Sequence, residues 1–119
     1  MKTASAKAKG RKLQNEVREI LLKYYGLEEG DIKTAIMGES GEDLILSPWA
    51  EKRIPFSIEC KNTEKLNIWG AIKQAESNSD ANRIPLVVFS RNRSQTYCVL
   101  EFEELLRLLG EYNIYEFKR

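Results

Sequence analysis

Apolar positions along the chain change period several times, and the changes divide it into elements. Over residues 10–25, Leu13, Val17, Ile20, Leu21 and Tyr24 recur at i, i+4, i+7, i+8 and i+11. That is the single stripe of an amphipathic helix, and Gly26 is placed to end it. Residues 31–37 alternate through Ile32, Thr34 and Ile36 as a strand does, and a glycine-bounded loop at 38–41 leads into the next apolar run, 43–46. Phe56, Ile58 and Cys60 then alternate with Ser57, Glu59 and Lys61. This predicts a half-buried strand with Glu59 and Lys61 on the face away from the apolar residues. A second helix is predicted over 66–81 from Ile68, Ala71, Ile72 and Ala75, entered through Asn62, Thr63 and Glu64. Residues 85–89 are continuously apolar, as in a strand covered on both sides. A basic turn at 91–94 precedes a further strand at 97–100, and Phe102, Leu105, Leu106 and Leu109 mark a final helix that Gly110 should stop. The order is helix, three strands, helix, two strands, helix: an α/β fold, with a mixed central sheet flanked by helices.

The chemistry concentrates between Gly38 and Asn62. Pairing the two runs there as an antiparallel hairpin centred on Glu51 sets Asp43 opposite Glu59 on one face. Like charges directly opposed in a sheet are destabilising, so two carboxylates with a lysine close by imply a cation between them. Oxygen donors alone, with room for water, suit Mg²⁺ or Mn²⁺. The plainer alternative makes Asp43 a turn cap and Glu59–Lys61 an exposed strand face. Glu16 lies along the edge of the first helical stripe, either as an exposed pairing partner or as a carboxylate reaching the same site. Gln74, beside the stripe of the second helix, reads as a surface glutamine or as a site residue, and Ser40 as a turn residue or a phosphate contact. The connection at 47–55, held off the sheet by Pro48 and Pro55, presents Trp49, Lys52 and Arg53. Lys52 and Arg53 suit nucleic acid, Trp49 suits either that or the core, and Trp69 is read as packing.

Composition narrows the choice. With 119 residues and 13.7 kDa the chain fills one domain. It has no apolar run of membrane-spanning length and no apolar leader, so a cytoplasmic, membrane-free location is expected. Cys60 and Cys98 are read as buried free thiols. Histidine is absent, which excludes Ser-His-Asp and Cys-His nucleophilic sites and histidine metal sites. Catalysis must then run on carboxylates, lysine, water and metal. Net charge is +1, yet residues 1–12 carry Lys2, Lys7, Lys9, Arg11 and Lys12 with no acid, leaving the rest at −4. Residues 1–9 are therefore read as a basic flexible arm ahead of a domain at 10–119. Lys7, Lys9, Arg11 and Lys12 are either phosphate contacts or a solvated tail. The aromatic tail at 112–119 is a candidate dimer contact.

The order Glu16, Asp43, Glu59-Cys60-Lys61 and Gln74 resembles the PD-(D/E)XK nuclease superfamily. With its small size and KGRKLQNE start, the chain is most similar there to archaeal-type Holliday-junction resolvases and to small phage nucleases of the VRR-NUC kind, over residues 9–90. The resemblance implies a restriction-endonuclease-like αβββαβ core. It also implies metal binding by Asp43, Glu59 and the Cys60 carbonyl, with Lys61 positioning the attacking water. Glu16 would complete the acidic site, Gln74 would match the helical glutamine and Ser40 the loop serine. One departure is Glu42, where the signature has proline before the aspartate. The implied protein is a Mg²⁺- or Mn²⁺-dependent DNA endonuclease selective for branched DNA, acting as a homodimer. The alternatives are a flap, nick or double-strand nuclease of a phage or mobile element, and a non-catalytic nucleic-acid-binding subunit.

Overall fold

The computed structural model describes residues 3–36 and 41–113. Helix α1 spans Thr3–Tyr25 and so begins well before Gly10, taking in Lys7 and Lys9, which the sequence assigns to the arm. Its end is the predicted one. Gly26 adopts φ +62, its N–H reaches the Lys23 carbonyl at 3.4 Å, and the Leu27 N–H reaches that of Leu22 at 2.9 Å. A left-handed glycine thereby satisfies the last carbonyls of the helix.

The buried face of α1 is not the predicted stripe. Leu13, Gln14, Val17 and Leu22 are buried, while Ile20 and Tyr24 are 50% and 83% exposed. At 100° per residue the inward face is turned by roughly 60° from the sequence pattern. Arg18 accounts for the turn. Its Nε donates to the Ile32 carbonyl at 2.7 Å and its Nη2 to that of Glu29 at 2.6 Å, pulling the 14–18–22 edge of the helix onto the chain below.

Strand β1, Ile32–Thr34, pairs antiparallel with β2, Leu44–Leu46. Strand β3, Phe56–Asn62, pairs in parallel with β4, Ile84–Ser90, which pairs antiparallel with β5, Tyr97–Val99. Helix α3, Ile68–Asn78, makes the crossover between β3 and β4, and Asn67 caps it by accepting the Gly70 N–H at 3.1 Å. The two ladders, β1–β2 and β3–β4–β5, are separate, so the expected β2–β3 hairpin does not form. In its place lies a short helix, α2, Pro48–Glu51, capped by the Ser47 hydroxyl with proline at its start. Ser-Pro is a helix-entry signal, and here it outcompetes the turn.

One core lies between α1 and the sheets: Leu13, Val17, Ile32, Leu44, Ile58, Cys60, Leu86 and Val88. On the opposite sheet face, Ala71 and Ala75 of α3 pack on Val87, small residues that admit the helix closely. Strand β3 is thus covered on both faces, and its polar side chains Ser57 and Glu59 lie buried on the α3 side. Helix α4, Phe102–Asn113, runs through Gly110 rather than stopping there. Its apolar residues Phe102, Leu105, Leu106 and Leu109 are exposed, as are Trp49 and Trp69, so Trp69 is not packing. Cys98 is also exposed, against expectation, because β5 is an edge strand. No described helix is long and apolar enough to cross a membrane.

Candidate active site

Strand β3 carries the site because one of its edges is free of strand pairing. Residues 58 and 60 point their backbone groups out of that edge, and Asp43 occupies it. The Asp43 N–H donates to the Ile58 carbonyl at 3.1 Å, and the Cys60 N–H donates to Asp43 Oδ2 at 2.6 Å. Asp43 therefore bridges the two residues that flank Glu59. The opposition of Asp43 and Glu59 is met without the hairpin ladder from which it was predicted. A third bond, from the Ala35 N–H to the Asp43 carbonyl at 2.8 Å, ties the residue to the chain leaving β1.

Glu59 is 2% exposed. Burial raises its carboxyl pKa and the neighbouring Asp43 raises it further, while Lys61 and Asn78 pull it back. Lys61 Nζ stands 3.7 Å from Glu59 Oε2, and Asn78 Nδ2 lies 3.5 Å from Oε1. Burial likewise raises the Asp43 carboxyl, opposed by the Cys60 N–H and by Lys61. Two carboxylates held near each other against their own repulsion, with one lysine beside Glu59, make a set of hard oxygen donors. That donor set fits a small divalent cation. The Cys60 side chain packs in the apolar core, and burial beside two carboxylates pushes its thiol pKa up, the opposite of what an activated thiolate needs. Its carbonyl, by the alternation of strand backbone groups, lies on the same edge as Asp43. Among the described residues no three His, Cys, Asp or Glu side chains are arranged so as to hold a metal ion together, so side-chain donors at this site stop at the two carboxylates.

Glu16 is exposed on α1 beside Arg11, Lys12 and Glu19, and no hydrogen bond or ion pair ties it to Asp43, Glu59 or Lys61 among the described residues. Gln74 is exposed one turn before Asn78 on α3. One helical turn, about 5.4 Å, nearly matches the roughly 6.7 Å between alternate strand residues, which sets Gln74 level with Lys61. Ser40 lies outside the described residues. Lys7 and Arg11 line a groove of about 430 Å³ with Gln14, Thr34 and Ala35, and Ala35 adjoins Asp43. Lys9 contributes its backbone carbonyl, which accepts Asn62 Nδ2 at 3.0 Å and ties α1 to the end of β3. Lys52 is exposed, and the Arg53 guanidinium lies 3.2 Å from the centroid of the Trp49 ring. Both sit beyond the far end of β2, about 13 Å of strand from Asp43. Asn78 and Gln14 escape the sequence reading. Asn78 is one turn after Gln74, and that spacing was the signal available.

A family model described as Phage putative PDDEXK endonuclease matches residues 5–118. No curated protein and no solved structure matches the chain. The match spans nearly the whole sequence, from within α1 through α4. The chain belongs to the phage putative PDDEXK endonuclease family.

Proposed function

We propose that the protein is a divalent-metal-dependent DNA endonuclease that hydrolyses phosphodiester bonds at the free edge of β3. The observation that carries this reading is the half-buried Asp43 set next to the buried Glu59, with Lys61 beside it. A binding module has no use for a carboxylate pair that repels phosphate. Asp43, Glu59 and the Cys60 carbonyl would hold Mg²⁺ or Mn²⁺. A divalent cation there supplies Lewis acidity and offsets charge on the phosphate. Lys61 orients the attacking water and stabilises the charge that builds on the phosphoryl oxygens. Asn78 fixes the rotamer of Glu59, and Gln74 is placed to meet the scissile strand beside Lys61. Lys7 and Arg11 in the groove next to Ala35 contact phosphates upstream of the cut, and Lys52 and Arg53 contact the duplex farther out.

The finer reading is selectivity for branched DNA by a homodimer in the host cytoplasm. Paired incisions across a junction need two sites related by a two-fold axis. The exposed apolar side chains of α4 support a surface for a second copy. The test compares the protein with Glu59→Ala on labelled four-way junction, flap, linear duplex and single strand, in Mg²⁺, Mn²⁺ or EDTA. We expect metal-dependent cleavage that EDTA and Glu59→Ala abolish, with symmetric nicks confined to the junction. Cleavage of the other substrates keeps the nuclease and discards junction selectivity. Binding without cleavage in either metal overturns the enzyme.

A further inference from the structure

Asp43 reaches Glu59 from a different ladder, and little backbone pairing holds it there. Strands β2 and β3 share no ladder. Gly41, at φ +104, leaves the chain before Asp43 free to turn. Of the contacts that fix Asp43 to β3, one uses the carboxylate itself. The two carboxylates repel each other until a cation arrives. Some other group must hold the segment in place.

Glu42 and Arg83 provide it. Both carboxylate oxygens of Glu42 accept from Arg83 Nη2, at 2.7 and 2.6 Å, and Arg83 Nη1 lies 3.5 Å from Glu51 on α2. The Arg83 side chain is 9% exposed and that of Glu42 17%. Arg83 Nε and Nη1 are buried without a hydrogen bond, so the strong bonds of this guanidinium all go to Glu42. Its backbone is anchored in turn. The Arg83 N–H reaches the Asp80 carbonyl at 3.0 Å, its own carbonyl accepts the Ser79 hydroxyl at 3.2 Å, and the Ile84 N–H bonds to the Pro55 carbonyl at 2.8 Å. Arg83 is thus fixed to the mouth of β4, in the same ladder as Glu59, and grips the β2 segment on both sides, at Glu42 before it and Glu51 after it.

We propose that Arg83 is a positioning residue which, through Glu42, holds Asp43 against β3 and preorganises the two-carboxylate cation site. The proposal rests on the nuclease reading of that site. Where the superfamily signature has proline, whose ring would stiffen the backbone directly, this chain pins a glutamate side chain. A buried pair is suited to the task because removing one partner leaves an uncompensated buried charge, so the contact persists. Groups that orient metal ligands from outside the ligand set typically change metal affinity by about 10- to 100-fold.

The test measures Mn²⁺ binding by calorimetry and the Mn²⁺ dependence of cleavage in the full chain. The variants are Arg83→Met, Glu42→Gln, and the exchanged pair Glu42→Arg with Arg83→Glu. In variants with unchanged far-UV circular dichroism, Arg83→Met and Glu42→Gln should each raise the Mn²⁺ Kd about tenfold. The half-maximal Mn²⁺ concentration for cleavage should rise in step, while kcat at saturating metal stays near that of the parent. The exchanged pair should recover much of the lost affinity. A purely structural salt bridge would lower the melting temperature without moving either metal dependence, and that result overturns the proposal. So does a loss of kcat at saturating metal with unchanged affinity. If Arg83→Met does not fold, Glu42→Gln, which keeps the acceptor oxygen, decides. A parent protein that neither binds Mn²⁺ nor cleaves removes the nuclease reading and this role with it, whereas an active parent with indifferent variants removes this role alone.

Discussion

At the scale of single residues, the carboxyls of Asp43 and Glu59 oppose folding in the metal-free protein. Burial, together with their mutual repulsion at Glu59, places both pKa values above their unfolded values. Their contribution to stability is therefore fully present below the unfolded pKa and is lost as pH rises through the folded one. Asp31 behaves oppositely: the Ser47 hydroxyl and the Glu28 N–H hold its pKa down, so its contribution is lost as pH falls through that lowered value. Asp43→Asn keeps an oxygen for the Cys60 N–H and removes the repulsion. In EDTA near pH 7.5 it should raise the unfolding free energy by roughly 1 kcal/mol and with it the melting temperature by about 4 °C. The gain should shrink toward pH 4, and saturating Mn²⁺ should reverse the order by favouring the parent. A variant that melts below the parent in EDTA refutes this account of the pair. That Glu59 and Lys61 share a face was legible because a period-2 strand fixes which side chains do. Asp43 instead comes beside Glu59 through single hydrogen bonds and not through the hairpin register read from the sequence. Asn78 and Gln14 were not legible. An amide carries no charge pattern, and its role depends on which neighbour the helix turns toward.

At the scale of elements, helices and the long strands followed the hydrophobic periods, while the face presented by α1 did not. A stripe with aromatic and β-branched residues at 20 and 24 misplaced the inward side because it ignored Arg18. That side chain buries its stem and satisfies two carbonyls at 2.7 and 2.6 Å, contacts no sequence period encodes. Arg18→Ala should lower the free energy of urea unfolding by about 1.5–3 kcal/mol, the value of a hydrogen bond from a charged donor. Glu16→Ala, on the outer face, should stay within about 0.5 kcal/mol of the parent, as exposed substitutions do. It should also cleave DNA within about threefold of the parent rate. A loss of cleavage comparable to that of Glu59→Ala would return Glu16 to the site. Helix α2 is hidden for a related reason: Pro48 reads as holding the 47–55 connection off the sheet, although after Ser47 it stands at the one helical position that favours it.

At the scale of the molecule, a net charge of +1 conceals a division of labour. Five basic residues precede residue 13, and helix formation from Thr3 places Lys7 and Arg11 on one side of α1, lining the groove that adjoins Asp43 through Ala35. The remainder, at −4, repels a polyanion on balance, so in the proposed function this helix is the face expected to lead association with DNA. Each phosphate neutralised releases condensed counterions, and log K falls with log salt by about 0.9 per contact on duplex DNA. Lys7→Gln with Arg11→Gln should therefore flatten the salt slope by about 2 and weaken binding across all sequences. Mn²⁺ affinity should not change, since neither residue touches Asp43 or Glu59. Lys12→Gln, on the outer face with Glu16 and Glu19, should change the slope by less than about half a contact. Fluorescence anisotropy on a labelled duplex from low to moderate salt reads all three slopes. Equal slopes for the parent and the double variant would mean that DNA enters along another face, with Lys52 and Arg53 beyond β2 as the remaining basic surface.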